Sequence, residues 1–104
     1  MDVTESNFQQ VVNGNALVLL DAWAPWCQPC KRMDPILDEL VAQAGGKVVL
    51  AKLNTDENEK LASQLSIQGM PTYIFYRNGK RVDQVSGFTP KPQMEARMQR
   101  AFGI

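Results

Sequence analysis

The only two cysteines in the chain, Cys27 and Cys30, stand three positions apart. Two cysteines placed at random in a chain of this length would fall at that separation about 2% of the time, so the spacing itself carries information. On a helix, Cα atoms at i and i+3 lie about 5 Å apart. That is inside the usual disulfide range of roughly 4.4–6.8 Å, so the pair can oxidise and reduce without unfolding the helix that carries it.

Three other readings of the pair compete with this one: a metal site, a structural cross-link and two inert core thiols. Zinc usually takes four Cys, His, Asp or Glu ligands, and the chain has no histidine and no second cysteine pair. A cross-link closing so short a loop removes little chain entropy and adds little stability. Reversible thiol-disulfide chemistry is the better account, with no metal and no bound cofactor beyond the Cys27–Cys30 disulfide itself.

The elements around the pair sharpen that reading. Ala16 to Trp23 (ALVLLDAW) is a continuous apolar run of strand length, as expected of a strand buried on both faces. After Cys27 the period changes. Cys30, Met33, Leu37, Leu40, Val41 and Ala44 trace one helical stripe that ends at Gly45-Gly46. The dithiol therefore sits where a buried strand gives way to a helix N-terminus, whose unpaired N–H groups and dipole stabilise a thiolate at Cys27. Cys27 precedes the apolar stripe and is expected to be exposed and nucleophilic. Cys30 belongs to the stripe and is expected to be shielded, resolving the mixed disulfide. Pro29 suits the first helical turn, where its missing N–H costs nothing.

The remaining elements alternate in the same way. Thr4 or Ser6 can cap a short helix burying Phe8, Val11 and Val12. Lys47 to Leu53 reads as a second buried strand, and Leu61, Ala62 and Leu65 form the face of a third helix. After Pro71, Thr72–Tyr76 and Arg81–Ser86 flank Asn78-Gly79, the pattern of a hairpin. A last helix from Pro90 to Pro92 onward buries Met94, Met98, Ala101 and Phe102. This β-α-β-α-β-β-α order predicts an α/β fold, a mixed central sheet of four to five strands with helices on both faces.

A chain of 104 residues, 44% hydrophobic and 21% charged, is expected to form one domain spanning 1–104. Eleven Lys plus Arg balance eleven Asp plus Glu, leaving no net field to draw the chain to nucleic acid or an anionic membrane. Ala16 to Ala24 is far shorter than the roughly 20 residues needed to span a bilayer. The N-terminus shows no basic cluster followed by an apolar stretch, so a cytoplasmic setting is expected, with the chain a monomer.

These residues resemble the thioredoxin family along nearly the whole chain. Asp21-Ala-Trp-Ala-Pro-Trp-Cys-Gln-Pro-Cys-Lys is similar to its active-site segment. Pro35-Ile-Leu-Asp-Glu, Ala51-Lys-Leu-Asn, Gly69-Met-Pro-Thr, Asn78-Gly-Lys and Gly87 follow in the family's order. The resemblance implies a protein-disulfide oxidoreductase that acts on disulfide-containing target proteins and is recycled by a separate reductase such as thioredoxin reductase. It also implies that Asp21, an acid inside an apolar strand, moves a proton at Cys30, and that Lys52 pairs with Asp21. Pro71 is implied to be cis, and Trp26, Gln28, Pro29, Met70, Pro71 and Gly87 to line the target-binding groove.

The pattern departs from the family at Gln28, where thioredoxins usually have Gly, and at Pro25 and Ala22. The dipeptide between the cysteines tunes the reduction potential, so the direction of electron flow stays open between a reductase and a disulfide oxidase or isomerase. A non-catalytic protein-binding module is the reading from another class. Met1 to Thr4 leaves little room for the family's first strand, so that sheet edge is expected to be reduced or missing.

Overall fold

The apolar run becomes β2, Leu17–Trp23, in the middle of a five-stranded sheet in the computed structural model, which describes residues 1–104. Around it lie β1 (Asp2–Val3), β3 (Val49–Asn54), β4 (Thr72–Arg77) and β5 (Lys80–Ser86), in the order β1-β3-β2-β4-β5. β3 runs parallel to both β1 and β2, whereas β4 is antiparallel to β2 and β5 to β4. The mixed sheet follows from the connections: a helix returns the chain in parallel, and a two-residue turn can only reverse it. At that turn Asn78 and Gly79 have φ of 54° and 81°, the left-handed pair a tight hairpin needs.

Four helices cover the two faces: α1 (Phe8–Gly14), α2 (Gln28–Gln43), α3 (Glu59–Gln64) and α4 (Lys91–Phe102). Because successive strand residues point to opposite sides, β2 divides its side chains between two cores. Val18 and Leu20 pack with Phe8, Val11, Val12 and Leu61 from α1 and α3. Leu19 packs with Met33, Leu37 and Leu40 of α2 and with Met94, Met98 and Phe102 of α4. Met33 and Leu37 are fully buried, and side chains of this size contribute about 1.5–3 kcal/mol each when removed from water. That burial fixes α2, and with it the cysteines at its start. Pro35 lies within α2, which continues through it to Gln43.

Two expectations about element ends are corrected, and a third, the reduced first strand, is met. The N-cap of α1 is Asn7, not Thr4 or Ser6; its Oδ1 accepts the Thr4 N–H at 2.7 Å and caps no helical amide. β3 starts at Val49 rather than Lys47, because pairing with β2 begins at Val49 opposite Val18, while the Lys47 N–H still closes the turn through Gly45 and Gly46 onto the Ala44 carbonyl at 3.3 Å. The first strand is present but reduced to two residues, supported by the Lys52 N–H donating to the Met1 carbonyl at 2.7 Å. No helix is long and apolar enough to cross a membrane.

Candidate active site

Cys27 is the N-cap of α2 and Cys30 lies in its first turn; a disulfide joins them, with Cα atoms 5.3 Å apart. This agrees with the separation expected from helix geometry. The Cys27 N–H donates to the Ala24 carbonyl at 3.0 Å, turning the chain back over the end of β2. Cys27 Sγ in turn accepts the Cys30 N–H at 3.2 Å. The sulfur thus occupies the place that a Ser or Asp oxygen takes at other helix starts, where an orphan amide favours negative charge.

Exposure does not distinguish the two cysteines as expected. In the disulfide form Cys27 is 2% exposed and Cys30 4%, and both pack with Ala24 against Trp23 and Met70. Cys27 is covered because the turn onto the Ala24 carbonyl folds it into a small cluster with Ala24 and Cys30, against which Met70 from a distant loop packs. The asymmetry lies in hydrogen bonding, since Cys27 has the capping position and Cys30 supplies the amide.

Asp21 projects from β2 on the face of Leu19, beneath α2. Its register partners are Lys52 on β3 and Tyr73 on β4. Asp21 is 1% exposed and its Oδ1 has no hydrogen-bond partner. Local hydrogen bonds therefore do not satisfy this carboxylate. Burial pushes its pKa up to about 7, with the Lys52 ammonium opposing and the charges of Asp34 and Asp38 adding to the rise.

Lys52 does not make the expected ion pair with Asp21. Its Nζ donates to Asp34 Oδ1 at 3.0 Å, at a position where the Lys52 and Asp34 side chains keep 29% and 43% of their exposure. The long lysine stem allows this: it starts in the sheet opposite Asp21 and reaches past it toward water. Burial pulls the ammonium's pKa down, but the bond to Asp34 and the charges of Asp34, Asp21 and Asp38 outweigh that and leave it raised. Trp23, Cys30, Lys31, Asp34 and Lys52 line a cavity of about 200 Å³ beside the disulfide.

Around the dithiol the groove residues come from three segments. Trp26 and Gln28 are exposed and Pro29 half-buried; the Trp26 indole N–H donates to Asp56 Oδ1 at 3.3 Å. The Met70–Pro71 bond is cis. Thr72 Oγ1 donates to the Gly69 carbonyl at 2.6 Å, and the Gly87 N–H donates to the Pro71 carbonyl at 2.8 Å. These bonds hold the loop in place. Gly87 has φ of 88°, a conformation that other residues rarely adopt, while the space where a Cβ would stand is open.

A model of the family described as "Thioredoxin" matches residues 1–100. The chain belongs to the thioredoxin family. It is 45% identical over 98 residues to the thioredoxin of Alicyclobacillus acidocaldarius subsp. acidocaldarius, covering 94% of this chain and 93% of that one. Among solved structures, a mutant thioredoxin from Halobacterium salinarum NRC-1 superimposes with a TM-score of 0.91 at 28% identity, covering 100% of this chain and 91% of that one. Plasmodium falciparum thioredoxin gives 0.86 at 31%, covering 95% and 96%. Like other thioredoxins, this protein is a thiol-disulfide oxidoreductase of protein substrates, using its cysteine pair.

Within this thioredoxin site, sequence reasoning missed Asp34 and Phe88. Asp34 stands four residues after Cys30, one helical turn along the same face, and that spacing was the available signal. Phe88, 46% exposed, follows Gly87, and the Arg32 guanidinium lies over its ring at 5.5 Å from the centroid. Nothing in the local sequence joins Arg32 to Phe88; the fold brings them together.

Proposed function

We propose that the chain reduces disulfides in other proteins, with Cys27 as the attacking sulfur and Cys30 as the resolving one. The observation that carries the assignment is the Cys30 N–H donated to Cys27 Sγ, which favours a thiolate at Cys27. The Cys27 thiolate attacks one sulfur of the target disulfide, forming a mixed disulfide and expelling the other target sulfur as a thiolate. Cys30 loses its proton to the Asp21 carboxylate and attacks Cys27 Sγ. The Cys27–Cys30 disulfide forms, the second target thiolate leaves, and the two target thiolates are protonated, one proton coming from Asp21 and one from water. A separate reductase, of the thioredoxin reductase kind, returns two electrons and two protons to the pair.

Trp26, Gln28, Pro29, Met70, Pro71 and Gly87 receive the target. The Met70 backbone N–H and C=O make no hydrogen bond within the chain, which leaves both free to pair with an extended target segment. Residues 1–104 act as one unit and as a monomer. A reducing compartment such as the cytoplasm suits a chain whose two cysteines both lie in the site and none in a structural cross-link.

Turnover of insulin disulfides with dithiothreitol tests the proposal. The wild type should accelerate reduction well above background, and Cys27→Ser should return it to background. Equal rates for the two proteins would leave only a binding module. The pair's reduction potential, measured against glutathione, checks the direction: a value as oxidising as that of a disulfide-forming enzyme would reverse it.

A further inference from the structure

One ammonium lies within reach of two carboxylates. Strand register sets Lys52 directly opposite Asp21, yet the ammonium bonds Asp34 at 3.0 Å and Asp21 Oδ1 is left without a partner. Cys30, Asp34 and Lys52 line the same cavity, so the Lys52–Asp34 pair lies beside Cys30. The physical reason for the choice is hydration. Pairing with Asp21 would draw the ammonium further from water, so with both carboxylates on offer the less costly partner is Asp34. Asp34, partly exposed at the cavity, accepts the ammonium while it remains hydrated.

We infer that Asp34 is a positioning residue for the proton transfer at Cys30: it holds the Lys52 ammonium away from Asp21 and so leaves the buried acid able to keep its proton. The inference rests on the reading of Asp21 as the proton acceptor, and its test separates the two. The titratable and charged groups that act on Asp21 are Lys52 from β3, Tyr73 from β4, and Asp34 and Asp38 from α2. Lys52 is the one cation among them, so where its ammonium rests governs how readily Asp21 ionises. Asp34 acts twice in the same direction, through its own negative charge and through its hold on Lys52. A carboxyl that titrates near neutrality can both accept and return a proton at working pH.

The experiment is a carbon-13 NMR titration of the Asp21 carboxyl, paired with the pH profile of insulin reduction. Asp34→Asn should lower the Asp21 pKa by about one unit, the effect expected when an opposite charge settles beside an acid. The rising limb of the rate profile should move to lower pH by the same amount, and Asp34→Glu should restore both. Loss of the Asp34 charge alone would also lower the value, so Asp34→Asn is repeated in Lys52→Met, where a smaller shift is expected. An equal shift there, or no shift in the single variant, overturns the inference. If the carboxyl shifts as expected and the rate limb does not follow, Asp34 still holds Lys52 and the role of Asp21 in proton transfer is what falls.

Discussion

Cys27 Sγ accepts the Cys30 amide N–H at 3.2 Å, so the two cysteines are unequal although both are buried. The bond gives the sulfur of Cys27, and not that of Cys30, a fixed amide donor. This predicts the order of events. Cys30→Ser should accumulate mixed disulfides with target proteins through Cys27, because the attack proceeds and the resolution cannot. Mass spectrometry of the trapped adducts identifies the linked cysteine. Adducts formed preferentially by Cys27→Ser, through Cys30, would invert the assignment.

Asp21 predicts how stability changes with pH. Its pKa in the folded protein is about 7, against an ordinary value of 3.8, so between those values the folded state binds more protons than the unfolded chain. Stability therefore falls as pH rises through that window. A gap of about three units corresponds to about 4 kcal/mol as an upper bound, at 1.36 kcal/mol per unit. Asp21→Asn removes the titrating group and keeps the shape. In urea denaturation the variant should gain on the wild type steadily from pH 4 to pH 7 and hold its advantage above that. A difference that did not change with pH would mean that the carboxyl is not raised.

The sheet and helices could be read from the chain because each depends on local periodicity. The run ALVLLDAW, the stripe from Cys30 to Ala44 and the Asn78-Gly79 turn each announce an element with no knowledge of its neighbours. What could not be read depends on contacts between distant segments. Cys27 looked exposed because it precedes the apolar stripe, and Met70, which packs against the cluster it forms with Ala24 and Cys30, is 43 positions away. Lys52 looked like the partner of Asp21 because the family resemblance implies that pair. Its preference for Asp34 turns on where water reaches, which no strand pattern encodes.

Gly87 predicts a backbone effect without a packing effect. Its φ of 88° lies in the left-handed region, and nothing stands within 4 Å of where a Cβ would be. Gly87→Ala should therefore fit and still cost about 1–2 kcal/mol, the penalty for a Cβ at positive φ. If the chain relaxes instead, its N–H leaves the Pro71 carbonyl and loosens the loop beside the disulfide. Denaturant unfolding reads the first effect, and a rise in KM for insulin reads the second. A variant as stable as the wild type, with the same KM, would remove Gly87 from both roles.

Trp26 separates binding from chemistry. Its ring is 63% exposed next to Cys27, and its only hydrogen bond is a long one to the exposed Asp56. A side chain that buries so little holds little of the fold, so Trp26→Ala should leave the denaturation midpoint almost unchanged. An exposed Trp beside a reactive sulfur is the kind of residue that anchors a protein partner, and truncating such an anchor typically costs more than 1 kcal/mol. The value of kcat/KM for insulin should accordingly fall about tenfold. A small disulfide such as oxidised glutathione reaches Cys27 with little need of that ring, and its rate should change much less. Equal losses for insulin and glutathione would mean that Trp26 tunes the sulfur rather than receiving the target, and the groove would then have to be drawn from Met70, Pro71 and Gly87 alone.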